Sequence, residues 1–286
     1  MMMRLSELDL TIGRLAPAGI VIAAGLLMAG CSSTTSVNSY ASGAGVADQA
    51  VNIDSLNQVI AQNPSDAGAL NVRGTAYGRA GDYEAALKDF SAAISINPGF
   101  YQAYANRALV YQRMGESQRS VADFNQAISL NQSYAPAFLG RGNIYRQAKQ
   151  YGAALADYDR AVGLNGSDPL AYHNRALVYQ AQGQHDAAID DFSVAISLNS
   201  ESAEPYHGRA LSYYALGKSD KALSDLDLAV KYNANYAEAW ATRGTVLEAA
   251  GRKSAAAESF NRALRLDSDN TIARAGVSRL RREGYA

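Results

Sequence analysis

Residues 67–270 match themselves at a shift of 34, six times over, with no insertion or deletion. The blocks are 67–100, 101–134, 135–168, 169–202, 203–236 and 237–270. A small residue holds the eighth place of each: Gly74, Ala108, Gly142, Ala176, Ala210 and Gly244. A bulky one holds the eleventh: Tyr77, Tyr111, Tyr145, Tyr179, Tyr213 and Leu247. The twenty-fourth place is large and apolar (Phe90, Phe124, Tyr158, Phe192, Leu226, Phe260), and the twenty-seventh is Ala throughout. A strict period of this length marks a stacked array, in which each unit buries its apolar face only against its neighbours.

Places 4, 7, 8 and 11 share one helical face, as do 20, 24 and 27, so each block predicts two amphipathic helices. Small residues let helix backbones approach, and the rings fill the space between them. Gly81, Gly115, Gly183, Gly217 and Gly251 stand between the helices, with Lys149 at that place in the third block. Glycine there suits the left-handed residue that closes a helix. The second helix of each block runs out at Asn97, Asn131, Asn165, Asn199, Asn233 or Asp267.

Leu70, Gly74, Tyr77, Gly81, Tyr83, Ala86, Phe90, Ala93 and Pro98 fall on the signature places of the tetratricopeptide repeat, which the chain resembles over 204 of its 286 residues. That resemblance implies an all-α fold: an α-solenoid, a right-handed superhelix of helical hairpins with a concave groove. Residues 51–66 are in register with the second half of a repeat and predict a leading helix, and 271–286 predict a C-terminal capping helix. A formal net charge of −1 gives no field for nucleic acid.

The N-terminal part reads differently. Residues 1–30 carry Arg4 and Arg14, then an apolar run from Ala16 to Ala29, in the outline of a secretion signal. The run is short for a membrane span, which needs about 20 residues. Leu27-Met28-Ala29-Gly30-Cys31 resembles the bacterial lipobox. In that family the Cys31 thiol would take a diacylglycerol and the leader would be cut before it, fixing the chain to a membrane. Residues 31–50, polar and small, are expected to form a disordered tether. Ser32 after Cys31 is not the Asp that retains enteric lipoproteins in the inner membrane, so the resemblance implies the periplasmic side of the outer membrane.

An Arg stands at the seventh place of every block (Arg73, Arg107, Arg141, Arg175, Arg209, Arg243), where the family often has Leu. An Asp stands at the twenty-third place of five (Asp89, Asp123, Asp157, Asp191, Asp225), with Ser259 in the sixth. The matched positions predict a ladder of bidentate ion pairs that sets the register of the helices. The resemblance assigns the groove to the first helix of each hairpin, at places 2, 5, 6, 9, 12 and 13. Candidate binding residues there are Asn106, Asn143, His173, Asn174, His207 and Tyr214. Place 5 carries no Lys, so the carboxylate clamp of chaperone-binding relatives is missing. His173 and His207 alone make a poor metal site, since zinc usually takes three or more protein ligands. No nucleophile elbow or phosphate loop is present, and no cofactor or enzymatic activity is expected.

The whole plan is similar to the periplasmic repeat lipoproteins of the new lipoprotein I type. The resemblance implies a non-enzymatic adaptor that holds envelope proteins or peptides in its groove, is anchored to the membrane through Cys31, and serves peptidoglycan and outer-membrane maintenance. Two other roles fit the same residues. One is a pilotin-like assembly factor for a pilus or secretion machine. The other is direct binding of glycan or lipopolysaccharide through aromatic and basic residues. The partner, and whether the chain is a monomer or dimer, are not legible in the sequence.

Overall fold

A computed structural model describes residues 53–285. The leader, Cys31 and the tether lie outside the described residues. Among those described there are fourteen helices and no strand. The first helices of the six hairpins are α2 (Ala67–Ala80), α4 (Tyr101–Arg113), α6 (Ala135–Gln147), α8 (Pro169–Ala181), α10 (Ala203–Ala215) and α12 (Ala237–Ala249). Their second helices are α3 (Tyr83–Ile96), α5 (Ser117–Leu130), α7 (Tyr151–Leu164), α9 (His185–Leu198), α11 (Ser219–Tyr232) and α13 (Lys253–Leu266). The array is flanked by α1 (Ile53–Gln62) and α14 (Thr271–Arg282).

The turns explain the punctuation residues. Each second helix ends on an extended Asn or Asp whose backbone N–H still donates to the place-27 Ala carbonyl, as Asn97 does to Ala93. The side-chain oxygen of that residue then accepts the N–H two residues on: Asn97 from Gly99 at 3.0 Å, Asn131 from Ser133 at 2.9 Å, Asp267 from Asp269 at 3.0 Å. Asp and Asn offer the same acceptor, which is why Asp267 substitutes without changing the turn. Between the helices of a hairpin the chain turns through a left-handed residue, glycine in five repeats and Lys149 at φ 57° in the third. A side chain at positive φ costs about 1 kcal/mol or more. Lys149→Gly is therefore expected to raise stability by about 1 kcal/mol, read as a higher urea midpoint at unchanged slope.

Phe90, Phe124, Tyr158, Phe192, Leu226 and Phe260, with the small residues around them, form the buried spine. Alternate rings pass into the next hairpin. A Cβ added at Gly140 would stand 2.3 Å from the Phe124 ring, and one at Gly208 2.4 Å from the Phe192 ring. Place 6, expected to line the groove, is therefore a packing position in repeats three and five, where only glycine leaves room for the ring. This corrects the uniform reading of that place.

The two ends differ. Helix α14 buries Ala273, Gly276, Val277 and Leu280 against the last hairpin and turns Arg274, Ser278, Arg281 and Arg282 outward. Helix α1 packs on α2 yet has no fully buried residue, and Val59 is 45% exposed. No helix among the described residues is long and apolar enough to cross a membrane.

Candidate binding groove

Consecutive first helices touch one another all along the array, whereas consecutive second helices do not. The first helices therefore line the inner, shorter-radius side. Polar bonds cross between them from the places the sequence suggested. Asn106 donates to Asn71 at 3.0 Å, Arg113 donates to the Gly78 carbonyl at 3.0 Å, and Gln180 donates to the Gly208 carbonyl at 2.9 Å and to Ser212 at 2.8 Å.

The six candidate residues thus have different roles within the fold. The amide of Asn106 ties repeats one and two together through Asn71 and Thr75. Asn143 accepts a hydrogen bond from Tyr158, whose hydroxyl makes it the one phenol among the spine rings. Asn174 donates to the Leu170 carbonyl of its own helix, and Tyr214 lies half-buried against the apolar cluster of the last two repeats. His207 sits between repeats five and six, with Nδ1 2.9 Å from the Tyr236 hydroxyl and Nε2 2.9 Å from Thr242 Oγ1. The Thr242 hydroxyl donates to the Glu238 carbonyl, so it can only accept from His207. That fixes the Nε2–H tautomer, with Nδ1 accepting from Tyr236.

His173 has no such partners. Its ring meets Phe192 edge-on at 5.5 Å, and its Nδ1 is buried without a hydrogen bond, as is Nε of Arg146. Burial pushes His173 and His207 down to about 4, against the opposing pull of Glu204, joined by Glu238 at His207. Both rings are neutral at pH 7. Burial likewise lifts Tyr158 and Tyr236 to about 12, so their hydroxyls stay protonated. No group of three or more metal-ligating side chains occurs among the described residues. His207 is committed to the seam between repeats five and six, and His173 packs on Phe192 of its own repeat.

The Arg and Asp series is bidentate in all five complete pairs, from Arg73 Nε–Asp89 Oδ2 at 2.7 Å to Arg209 Nη2–Asp225 Oδ1 at 2.8 Å. The carboxylates are nearly buried and the Arg side chains 17–20% exposed. The paired carboxylate, as the leading cause, holds each guanidinium's pKa above its ordinary value.

Sequence reasoning missed a second contact. The remaining guanidinium nitrogen reaches back to place 25 of the preceding repeat: Asn57, Ser91, Asn125, Asp159 or Ser193. Both partners lie 16 residues from the Arg, one ahead and one behind, so the signal was present as a symmetric spacing. In the sixth repeat, where Ser259 replaces the Asp, Arg243 takes its carboxylate from Asp227 of the repeat before, at 2.7 Å. Aromatic rings flank the same guanidinium groups, as Tyr104 and Tyr111 do Arg107 at 5.6 and 6.0 Å. With its carboxylate-binding edge occupied and rings against its guanidinium groups, this row is structural.

Family profiles for tetratricopeptide repeats match residues 67–100, 101–134, 142–183, 168–234 and 207–271. Among curated proteins none matches this chain. Similar solved structures include a chain of the APC/C hetero-tetramer Cut9–Hcn1, at 18% identity and TM-score 0.73 over 81% of this chain. This chain spans only 46% of that one. PilW, a type IV pilus biogenesis factor, is 17% identical with TM-score 0.67 over 73% of this chain and 97% of its own. YrrB, a repeat protein with an unusual peptide-binding site, is 21% identical with TM-score 0.52 over 65% of this chain and 96% of its own. At such identities the likeness speaks for the fold alone. With its hairpins, its signature residues and the profiles that match along them, the chain belongs to the tetratricopeptide repeat family.

Proposed function

We propose that this protein is a lipid-anchored scaffold on the periplasmic side of a bacterial outer membrane, holding envelope proteins or peptides along its inner face. The observation that carries the scaffold reading is the inner row of polar side chains on a rigidly pinned stack. The lipobox at 27–31 supports the anchor on Cys31. Two or three acyl chains, each buried methylene contributing about 0.8 kcal/mol, would hold such a protein stably on a bilayer. The finer role is adaptor work in peptidoglycan and outer-membrane maintenance, without catalysis by this chain. A second reading, which the shared fold with PilW leaves open, is an assembly factor for a pilus or secretion machine.

Crosslinking of a tagged copy in its own cells, followed by identification of what co-purifies, tests both. Peptidoglycan enzymes or other envelope proteins support the first reading, and pilin or secretin subunits the second. A variant with Asn106, Asn143 and Asn174 changed to Ala should lose the captured protein. Asn106 and Asn143 also bond within the fold, so Asn174→Arg serves as a second variant; its wild-type amide contacts only its own helix. Capture that survives Asn174→Arg and the folded triple variant alike would sink the groove reading. Cys31→Ser should move the protein from the membrane to the soluble fraction, and retention on the membrane would refute the lipid anchor.

A further inference from the structure

The charges of the inner row are sorted along the array. Outside the ladder Arg at place 7, the charged residues of α2, α4 and α6 are Arg79, Arg113 and Arg146, each in the last turn of its helix. Helix α8 carries none. In α10 and α12 the first-turn residues are Glu204 and Glu238. Glu248 also belongs to α12 but is held by Arg279 of α14 at 2.7 Å. Arg113 meets the Gly78 carbonyl, and Arg146 lies beside the Tyr158 hydroxyl. Glu204 accepts from Ser202 at 2.9 Å. Arg113, Glu204 and Glu238 are exposed, and Arg146 is half-buried. Basic side chains at helix C-termini and acidic ones at N-termini do complement the helix dipoles. That benefit is open to all six first helices, yet Arg is confined to the first three and Glu to the last two.

We propose that the inner face takes an extended protein segment with an acidic cluster at one end and a basic cluster at the other. The acidic part lies over the last turns of α2, α4 and α6, and the basic part over the first turns of α10 and α12. The neutral polar groups of Asn143, Asn174 and Gln180 lie along the backbone between them. Because the basic side chains stand in last turns and the acidic ones in first turns of the helices that line the inner face, the segment crosses the groove diagonally. Four to five helix spacings of about 10 Å correspond to roughly 12–16 extended residues. This inference rests on the groove reading above and assigns the chemistry of its partner.

The test uses the folded solenoid and two fluorescein-labelled peptides of about 16 residues, a length set by the reach of an extended chain. One has a block of Glu, a neutral middle and a block of Lys; the other has the same composition with the charges intermixed. The block peptide should bind about tenfold more tightly in low salt, the sum of several partly exposed ion pairs, and the preference should shrink as salt screens them. Arg113→Gln with Arg146→Gln should abolish binding of a peptide carrying only the Glu block and spare one carrying only the Lys block. Glu204→Gln with Glu238→Gln should do the reverse. Equal affinity for the block and intermixed peptides overturns the charge order. If that shared binding is lost in Asn174→Arg, the groove reading survives without it; if it is not, both fall. Absence of binding by either peptide also overturns the proposal, and capture in cells then decides the groove reading separately.

Discussion

Asp157→Ala is expected to cost about 3 kcal/mol of stability, because it leaves the Arg141 guanidinium charged, mostly buried and without a carboxylate. Its one remaining polar partner is the neutral Asn125 Oδ1. Asp191→Ala should cost markedly less, about half as much, since Arg175 keeps Asp159 at 2.7 Å. The sixth repeat already displays the tolerated arrangement, with Arg243 on Asp227 and Ser259. Urea unfolding followed by circular dichroism would rank the two variants, and equal losses would show that the backward contact is idle. Adding Arg141→Leu to Asp157→Ala should recover most of the loss, because a well-packed apolar pair often replaces a buried ion pair at little cost. The ladder is thus expected to specify register more than to raise stability.

Acid should unfold the array through its buried histidines. A folded value of about 4 against an ordinary 6.5 means that, between these limits, the unfolded chain binds more protons. Each ring therefore contributes stability that is fully present above about pH 6.5 and is lost as pH falls toward 4. Full loss would amount to about 3 kcal/mol per histidine, and at pH 5 to about 2 kcal/mol. His173→Leu is the cleaner test. Leu139 holds the same place in the third repeat and is buried at 6% exposure, so the site accepts Leu, and the orphaned Nδ1 disappears. The variant should match or exceed the parent at pH 7 and lose less stability by pH 5. An unchanged pH profile would show that the folded ring titrates as it does in the unfolded chain. For His207, protonation also demands that the Tyr236 hydroxyl stop donating to Nδ1, so the cost includes a broken bond.

The sequence by itself determined what repeats: two amphipathic helices per 34 residues, a left-handed glycine between them, a helix end at Asn or Asp after them, and an Arg matched to an Asp. These are local or register-bound features, and a stacked array is built from local contacts, so they survive translation into three dimensions. What the tertiary structure decided is how neighbouring repeats meet. Place 6 looked open in the sequence because Gly140 and Gly208 alternate with polar residues; only the Phe rings arriving from the preceding hairpins show why glycine stands there. His207 looked like a groove ligand until its two nitrogens were found bridging Tyr236 at the end of its own repeat and Thr242 of the next. The same side chain pattern can face a ligand or a neighbouring helix, and the inter-helix approach, set by the rings and small residues between hairpins, chooses between them.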